Sequence, residues 1–85
     1  MYVLTIKREA LKELKQLPRQ ISATITIEIE QLTVDPRPNG CLKLKGAKEN
    51  LWRIRIGDYR VIYLIDDKVR IVNVRSIGNR KDVYE

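Results

Sequence analysis

Leu51-Trp52-Arg53-Ile54-Arg55-Ile56-Gly57-Asp58-Tyr59-Arg60-Val61-Ile62-Tyr63 decides how this chain folds. Apolar and basic residues alternate up to Gly57-Asp58, and a period of two gives a strand two chemically different faces. Trp52, Ile54 and Ile56 point one way; Arg53 and Arg55 point the other. With Gly57-Asp58 as a two-residue hairpin turn, Ile56 lies opposite Tyr59 and Arg55 opposite Arg60. Directly opposed residues share a face, so three guanidinium groups gather on one side of one sheet. Like charges so placed repel unless an anion binds among them, and a phosphate backbone has the right charge and shape.

Outward from this hairpin the chain reads in both directions. C-terminally, residues 59–65 and 68–76 form two more strands around an Asp66-Asp67 turn, and a polar tail follows from residue 77. N-terminally, residues 42–46 read as a short edge strand whose lysines discourage edge pairing. Asp35-Pro36-Arg37-Pro38-Asn39-Gly40 is a loop by composition. Residues 2–6 alternate as a first strand. Residues 7–17 then change period: Ala10, Leu11, Leu14 and Leu17 share one helical face, and Pro18 ends that helix.

Residues 21–32 satisfy two periods at once. Ile21, Ala23, Ile25, Ile27 and Ile29 alternate as in a strand, while Ile21, Ile25, Ile29 and Leu32 make a helical stripe. The length of the segment and the short Leu17-Pro18-Arg19 link favour a helical hairpin. The order is then β-α-α-β-β-β, an α+β domain spanning residues 1–85. Two N-terminal helices pack on one face of a mainly antiparallel twisted sheet, and the arginines occupy the other face. The core expected from this pattern is Leu4, Ile6, Leu11, Leu14, Leu17, Ile25, Ile29, Leu32, Trp52, Ile54, Ile56, Val61, Tyr63, Val72 and Val74.

Composition narrows the function. In 85 residues, 17 Lys and Arg face 11 Asp and Glu, a formal charge of +6. That balance favours nucleic acid or an acidic protein as partner. Cys41 is the only cysteine and there is no histidine, which excludes an intrachain disulfide, Ser-His-Asp and Cys-His triads, and makes a zinc site improbable. Cys41 reads as an inert buried thiol, and Trp52 as core. No long apolar run marks a signal peptide or membrane span, so the expected compartment is the cytoplasm.

Four pieces of the chain carry a resemblance. They are Ala10-Leu11-Lys12-Glu13-Leu14 through Leu17-Pro18, Leu42-Lys43-Leu44-Lys45-Gly46, the hairpin from Leu51 to Tyr63, and Gly78-Asn79-Arg80-Lys81-Asp82-Val83-Tyr84. In this order they resemble the RelE/ParE superfamily of toxins from bacterial and archaeal toxin–antitoxin modules, and the hairpin and tail point to its RelE branch. The resemblance implies a RelE-like fold and a ribosome-dependent endoribonuclease that cuts messenger RNA in the A site. It implies attack by the RNA 2′-hydroxyl on its own neighbouring phosphate, with no metal or other cofactor. It implies catalytic roles for Arg53, Arg55, Arg60, Arg80 and Tyr84, and a cognate antitoxin that wraps the toxin and blocks the site. Lys43, Lys45 and Lys81 are the expected further RNA contacts.

The residue types suit part of that chemistry. A guanidinium fork matches phosphate oxygens bidentately and keeps its charge, so Arg53, Arg55 and Arg60 can stabilise a dianionic phosphorane. Arginine is a poor base, and here Arg53 and Arg55 stand where relatives carry lysine, and Asn79 where many carry histidine. Proton transfer then falls to Tyr84, Lys45, Lys81, Glu49 or the ribosomal RNA, while Tyr84 also suits stacking on a base. Two other readings remain open: a ParE-like gyrase inhibitor, and a module that only binds its antitoxin or nucleic acid.

Overall fold

The computed structural model describes residues 1–79. Its elements are β1 (Val3–Ile6), α1 (Arg8–Lys15), α2 (Arg19–Gln31), β2 (Leu42–Lys43), β3 (Leu51–Ile56), β4 (Tyr59–Asp66) and β5 (Ile71–Asn79). The five strands form one sheet in the order β1-β5-β4-β3-β2. Three neighbouring pairs are antiparallel, and β1 runs parallel to β5. The expected α+β architecture is present, with β2 added as a two-residue edge.

The ambiguous segment is helical. Ile25, Ile29 and Leu32 are buried while Ile27 is 55% exposed, the outcome of a period near 3.6 rather than 2. The threonines that favoured a strand are accommodated by donating to carbonyls one turn back, Thr24 to Gln20 at 3.1 Å and Thr26 to Ser22 at 2.8 Å. Both helices feed one cluster: Ala10, Leu14, Ile25, Ile29 and Leu32 meet Ile54, Val61, Tyr63, Ile65, Val72, Val74 and Ile77. Leu11, expected in this core, is instead on the rim of α1 at 37% exposure. Residues on the same strand faces as this cluster therefore point at the helices, and their neighbours point away.

The last strand starts and ends three residues later than the alternation predicts. Two features cause the shift. Asp66 Oδ1 accepts from the Lys68 and Val69 amides at 3.0 and 3.2 Å, and Arg70 adopts a left-handed φ of 60°, so the turn consumes more residues than Asp66-Asp67. Then a β-bulge sets Ile62 opposite Ser76 but Tyr63 opposite Val74, leaving Arg75 as the extra residue. The bulge returns Ile77 to the core, so Ile77, Gly78 and Asn79 are strand and not tail. At the other edge β2 stops at Lys43. The Leu44 amide still reaches the Leu51 carbonyl at 3.0 Å, and Lys45-Gly46 turns away with Gly46 at φ +81°.

Candidate functional site: an arginine face on the open side of the sheet

The hairpin has the register the sequence implies. Ile56 opposes Tyr59, Arg55 opposes Arg60, and Arg53 opposes Ile62. Gly57 supplies the positive φ of 60° that the tight turn requires. Arg53, Arg55 and Arg60 therefore share the face opposite Ile54 and Val61, which no helix among the described residues covers. They are not equally wet. Arg55 is exposed, whereas Arg53 and Arg60 retain 7% and 6% of their surface. Among the described residues, Arg53 Nε is fully enclosed and has no hydrogen-bond partner. An Nε–H held this way loses hydration without replacing it, which costs folding free energy.

The register arranges this face in rows. Arg55, Arg60 and Gly78 form one; Arg53, Ile62 and Ser76 the next; Leu51, Leu64, Asn73 and Thr5 a third. Rows on one face are two residues apart, about 7 Å along the strands. Across the third row runs a chain of polar contacts. Asn73 Nδ2 donates to Thr5 Oγ1 at 2.8 Å, and Arg75 Nε donates to Asn73 Oδ1 at 2.6 Å. Both terminal nitrogens of Arg75 grip the Glu49 carboxylate at 2.9 Å. Arg75 holds the Glu49 carboxyl below the usual carboxylate range, so Glu49 is an ionised, weakened base.

Arg75 had no sequence signal of its own. A bulge is invisible to alternation, and only the skipped step in Val72, Val74, Ile77 betrays it. Lys43 lies apart from the three arginines. The edge alternation puts Leu42, opposite Arg53, on the arginine face, and Lys43, opposite Trp52, on the other. There Lys43 Nζ donates to Asn50 Oδ1 at 2.6 Å and lies 5.5 Å from the Trp52 ring centre. Arg37 covers the same ring at 5.0 Å. Trp52 is half-buried against the core with its Nε1 donating to Asn50 Oδ1 at 3.1 Å, as its place opposite the arginines implies. Cys41 is likewise half-buried at the core margin.

Lys45 is exposed in the turn after β2. Arg80, Lys81 and Tyr84 lie outside the described residues. The strand that leads to them ends beside a cleft of about 490 Å³ lined by Glu13, Gln16, Tyr59, Ser76, Gly78 and Asn79, among others. Its wall is fixed by Glu13, which accepts the Ile77 amide at 2.8 Å and ties α1 to β5.

Known proteins resemble this arrangement over almost its full length. Residues 4–84 match the family model described as the ParE toxin of the type II toxin–antitoxin system parDE. This chain belongs to the RelE/ParE toxin family. Within it, the RelE side is nearer. The RelE1 toxin candidate of Methanocaldococcus jannaschii is 35% identical over 83 residues, 94% of this chain and 91% of that one. Toxin RelE of Mycobacterium tuberculosis is 33% identical over 84 residues, 98% and 86% of the two chains. Among solved structures, the archaeal RelE–RelB complex from Pyrococcus horikoshii OT3 superposes with a TM-score of 0.83 at 28% identity, covering 96% of this chain and 98% of that one. The protein is thus a type II toxin of RelE type. Among the described residues no helix is long and apolar enough to cross a membrane.

Proposed function

We propose that this toxin is a ribosome-dependent endoribonuclease that cleaves messenger RNA in the A site. The observation that carries the reading is Arg53: a buried guanidinium with an unsatisfied Nε, on the same open face as Arg60 and Arg55. A phosphate of the message meets that need.

In this reading the RNA 2′-hydroxyl attacks the adjacent phosphorus, and the 5′-oxygen of the next nucleotide leaves. Arg53 and Arg60 stabilise the charge that builds on the phosphoryl oxygens. One such preorganised donor is typically worth roughly 3 kcal/mol of barrier. Exposed Arg55 holds the neighbouring backbone, and Lys45 and Lys81 add phosphate contacts at the rim. Arg80 and Tyr84 complete the set, Arg80 on the phosphate and Tyr84 stacked on a base to hold the strand for in-line attack. Positioning carries most of the rate here, because arginine moves protons poorly and the nearby carboxylate, Glu49, is bound to Arg75. The toxin pairs with a cognate antitoxin, as RelE does in the archaeal RelE–RelB complex, through an amphipathic segment whose acidic residues meet the basic face.

Primer extension on a programmed ribosome tests this directly. A cut inside the A-site codon, with a 5′-hydroxyl on the downstream piece, is the expected result. Arg80→Ala should abolish growth arrest on expression without lowering the melting temperature; equal loss of both would make Arg80 structural. The family model's ParE description supports a second reading, inhibition of gyrase. Intact message together with blocked supercoiling in a gyrase assay would establish that reading instead.

A further inference from the structure

The polar chain on the third row has no part in the proposed cleavage, yet it lies on the same face. The Arg55–Arg60 pair and Arg53 occupy successive rows along the strand direction, and Arg75, the extra residue of the β5 bulge, bonds to Asn73 in the row after them. Neighbouring rows are about 7 Å apart, so a single strand of RNA that crosses the two arginine rows of β3 and β4 and continues toward the β5 bulge meets Arg75 next. Asn73 fixes the Arg75 Nε, itself anchored by Thr5, and this leaves the two terminal nitrogens as an oriented fork. What fills the fork is a carboxylate on a loop, with the two 2.9 Å contacts a phosphate would make. Side-chain exposure is 28% for Arg75 and 52% for Glu49. Glu49 is the more exposed partner and sits on a loop, so another anion reaches the fork from solvent without opening the core. The next carboxylate on this face, Asp66, cannot substitute, because its Oδ1 is engaged by the turn amides of Lys68 and Val69.

We propose that Arg75 is a phosphate-binding residue for the RNA strand flanking the cleaved bond, and that Glu49 occupies its fork until the strand arrives. The proposal rests on the RNA-cleavage reading and adds a third phosphate position to it. Glu49 leaves with its loop when RNA binds, and its charge in the empty state also discourages binding of RNA that does not span the whole face.

The test uses the full chain, free of antitoxin, and a short fluorescent RNA whose 2′-hydroxyls are methylated so that it is not cut. Anisotropy is titrated across a range of salt for wild type, Arg75→Gln and Glu49→Gln. Arg75→Gln should bind several-fold more weakly, and its slope of log affinity against log salt should fall by about 0.7, one single-strand phosphate contact. Glu49→Gln should bind more tightly than wild type. Because that variant keeps the arginine, it decides the matter even if Arg75→Gln does not fold. Unchanged affinity in both variants overturns the proposal. So does weaker binding in both alongside matched drops in melting temperature, which would make the pair a loop fastening. An acidic polyglutamate peptide whose binding is lost in Arg75→Gln, with RNA binding unaffected, would assign the fork to a protein partner instead. No ribosome enters this experiment, so an intact message in primer extension would sink the cleavage reading while leaving these slopes to stand or fall alone.

Discussion

Arg53 and Ile54 are neighbours in β3, and they are equally hidden: 7% and 6% of their surfaces remain. Ile54 points at the helices and joins an apolar cluster with Val61 and Leu32. Arg53 points to the open face and is enclosed with an unsatisfied nitrogen. The same degree of burial is therefore favourable on one side of the strand and costly on the other. The other arginines sharpen the contrast. Arg37 is paired with Asp67 at 2.7 Å and Arg75 with Glu49 at 2.9 Å, both at the surface. Arg37 and Arg75 each meet a carboxylate; among the described residues Arg53 Nε meets none. Stability sits on the helix side, and the open side keeps an expense.

The largest effect should come from exchanging the two chemistries. Ile54→Asp buries a carboxylate among aliphatic side chains, a cost of several kcal/mol. A small domain has on the order of 5–15 kcal/mol in total, so circular dichroism should show an unfolded chain. A folded, active Ile54→Asp protein would invert the assignment of the two faces. Arg53→Met should do the opposite. Replacing a buried charge by an apolar chain of similar length is commonly neutral or stabilising, by up to about 4 kcal/mol. Its melting temperature should hold or rise while A-site cleavage falls roughly 100- to 1,000-fold. A destabilised Arg53→Met would mean that Arg53 holds the sheet together, and the contrast between the faces would collapse.

The side of the molecule built on alternation was legible in the sequence, because a period of two has only one way to sort Trp52, Ile54 and Ile56 from Arg53 and Arg55. The hairpin register followed from Gly57-Asp58 alone. What alternation hid were the places where it breaks. The bulge at Arg75 moves Ile77 into the core and frees Arg75 to meet Glu49, and no composition signal marks it. The turn after Asp66 is widened by side-chain acceptance from two amides, which a count of turn residues does not show. The helix over residues 19–31 was readable from its length and the short Leu17-Pro18-Arg19 link, not from periodicity, and the exposure of Ile27 is what separates the two periods. The face of Lys43 was not legible, because a two-residue edge strand is too short for alternation to sort.

Smaller effects test whether the helix side is as self-sufficient as the comparison holds. Tyr63 is fully buried, and its hydroxyl donates to the Pro36 carbonyl at 2.7 Å, tying the loop after α2 to β4. Tyr63→Phe leaves that carbonyl unsatisfied and should cost about 1–3 kcal/mol in denaturant titration. Burial pushes the Tyr63 phenol far above its ordinary range near 10. A raised folded-state value means its contribution is complete below that range and is lost as pH rises further. Wild type should therefore lose stability more steeply above pH 10 than Tyr63→Phe. Parallel alkaline curves would show that the phenol is not the group that matters.

The weakest effect should be at Asp67, which Arg37 grips with two nitrogens and to which Tyr2 donates at 2.6 Å. Hydrogen bonding from Arg37, and then from Tyr2, holds the Asp67 carboxyl below the usual carboxylate range. A depressed folded-state value contributes stability that is present above the ordinary pKa and lost as pH falls through the folded one. Asp67→Asn should hardly move the melting temperature at pH 7, since exposed pairs are screened, but it should flatten the acid limb below about pH 4. Glu49 is depressed in the same direction by Arg75, so Glu49→Gln should flatten the same limb. RNA affinity separates the two carboxylates. Asp67 ties Tyr2, ahead of β1, and the loop after α2 to the β4–β5 turn, and its loss should leave RNA affinity alone. Glu49→Gln should combine the milder acid limb with tighter RNA binding. If both substitutions changed stability and neither changed binding, every carboxylate-bound arginine in this protein would be structural, and only the enclosed Arg53 side of the comparison would survive.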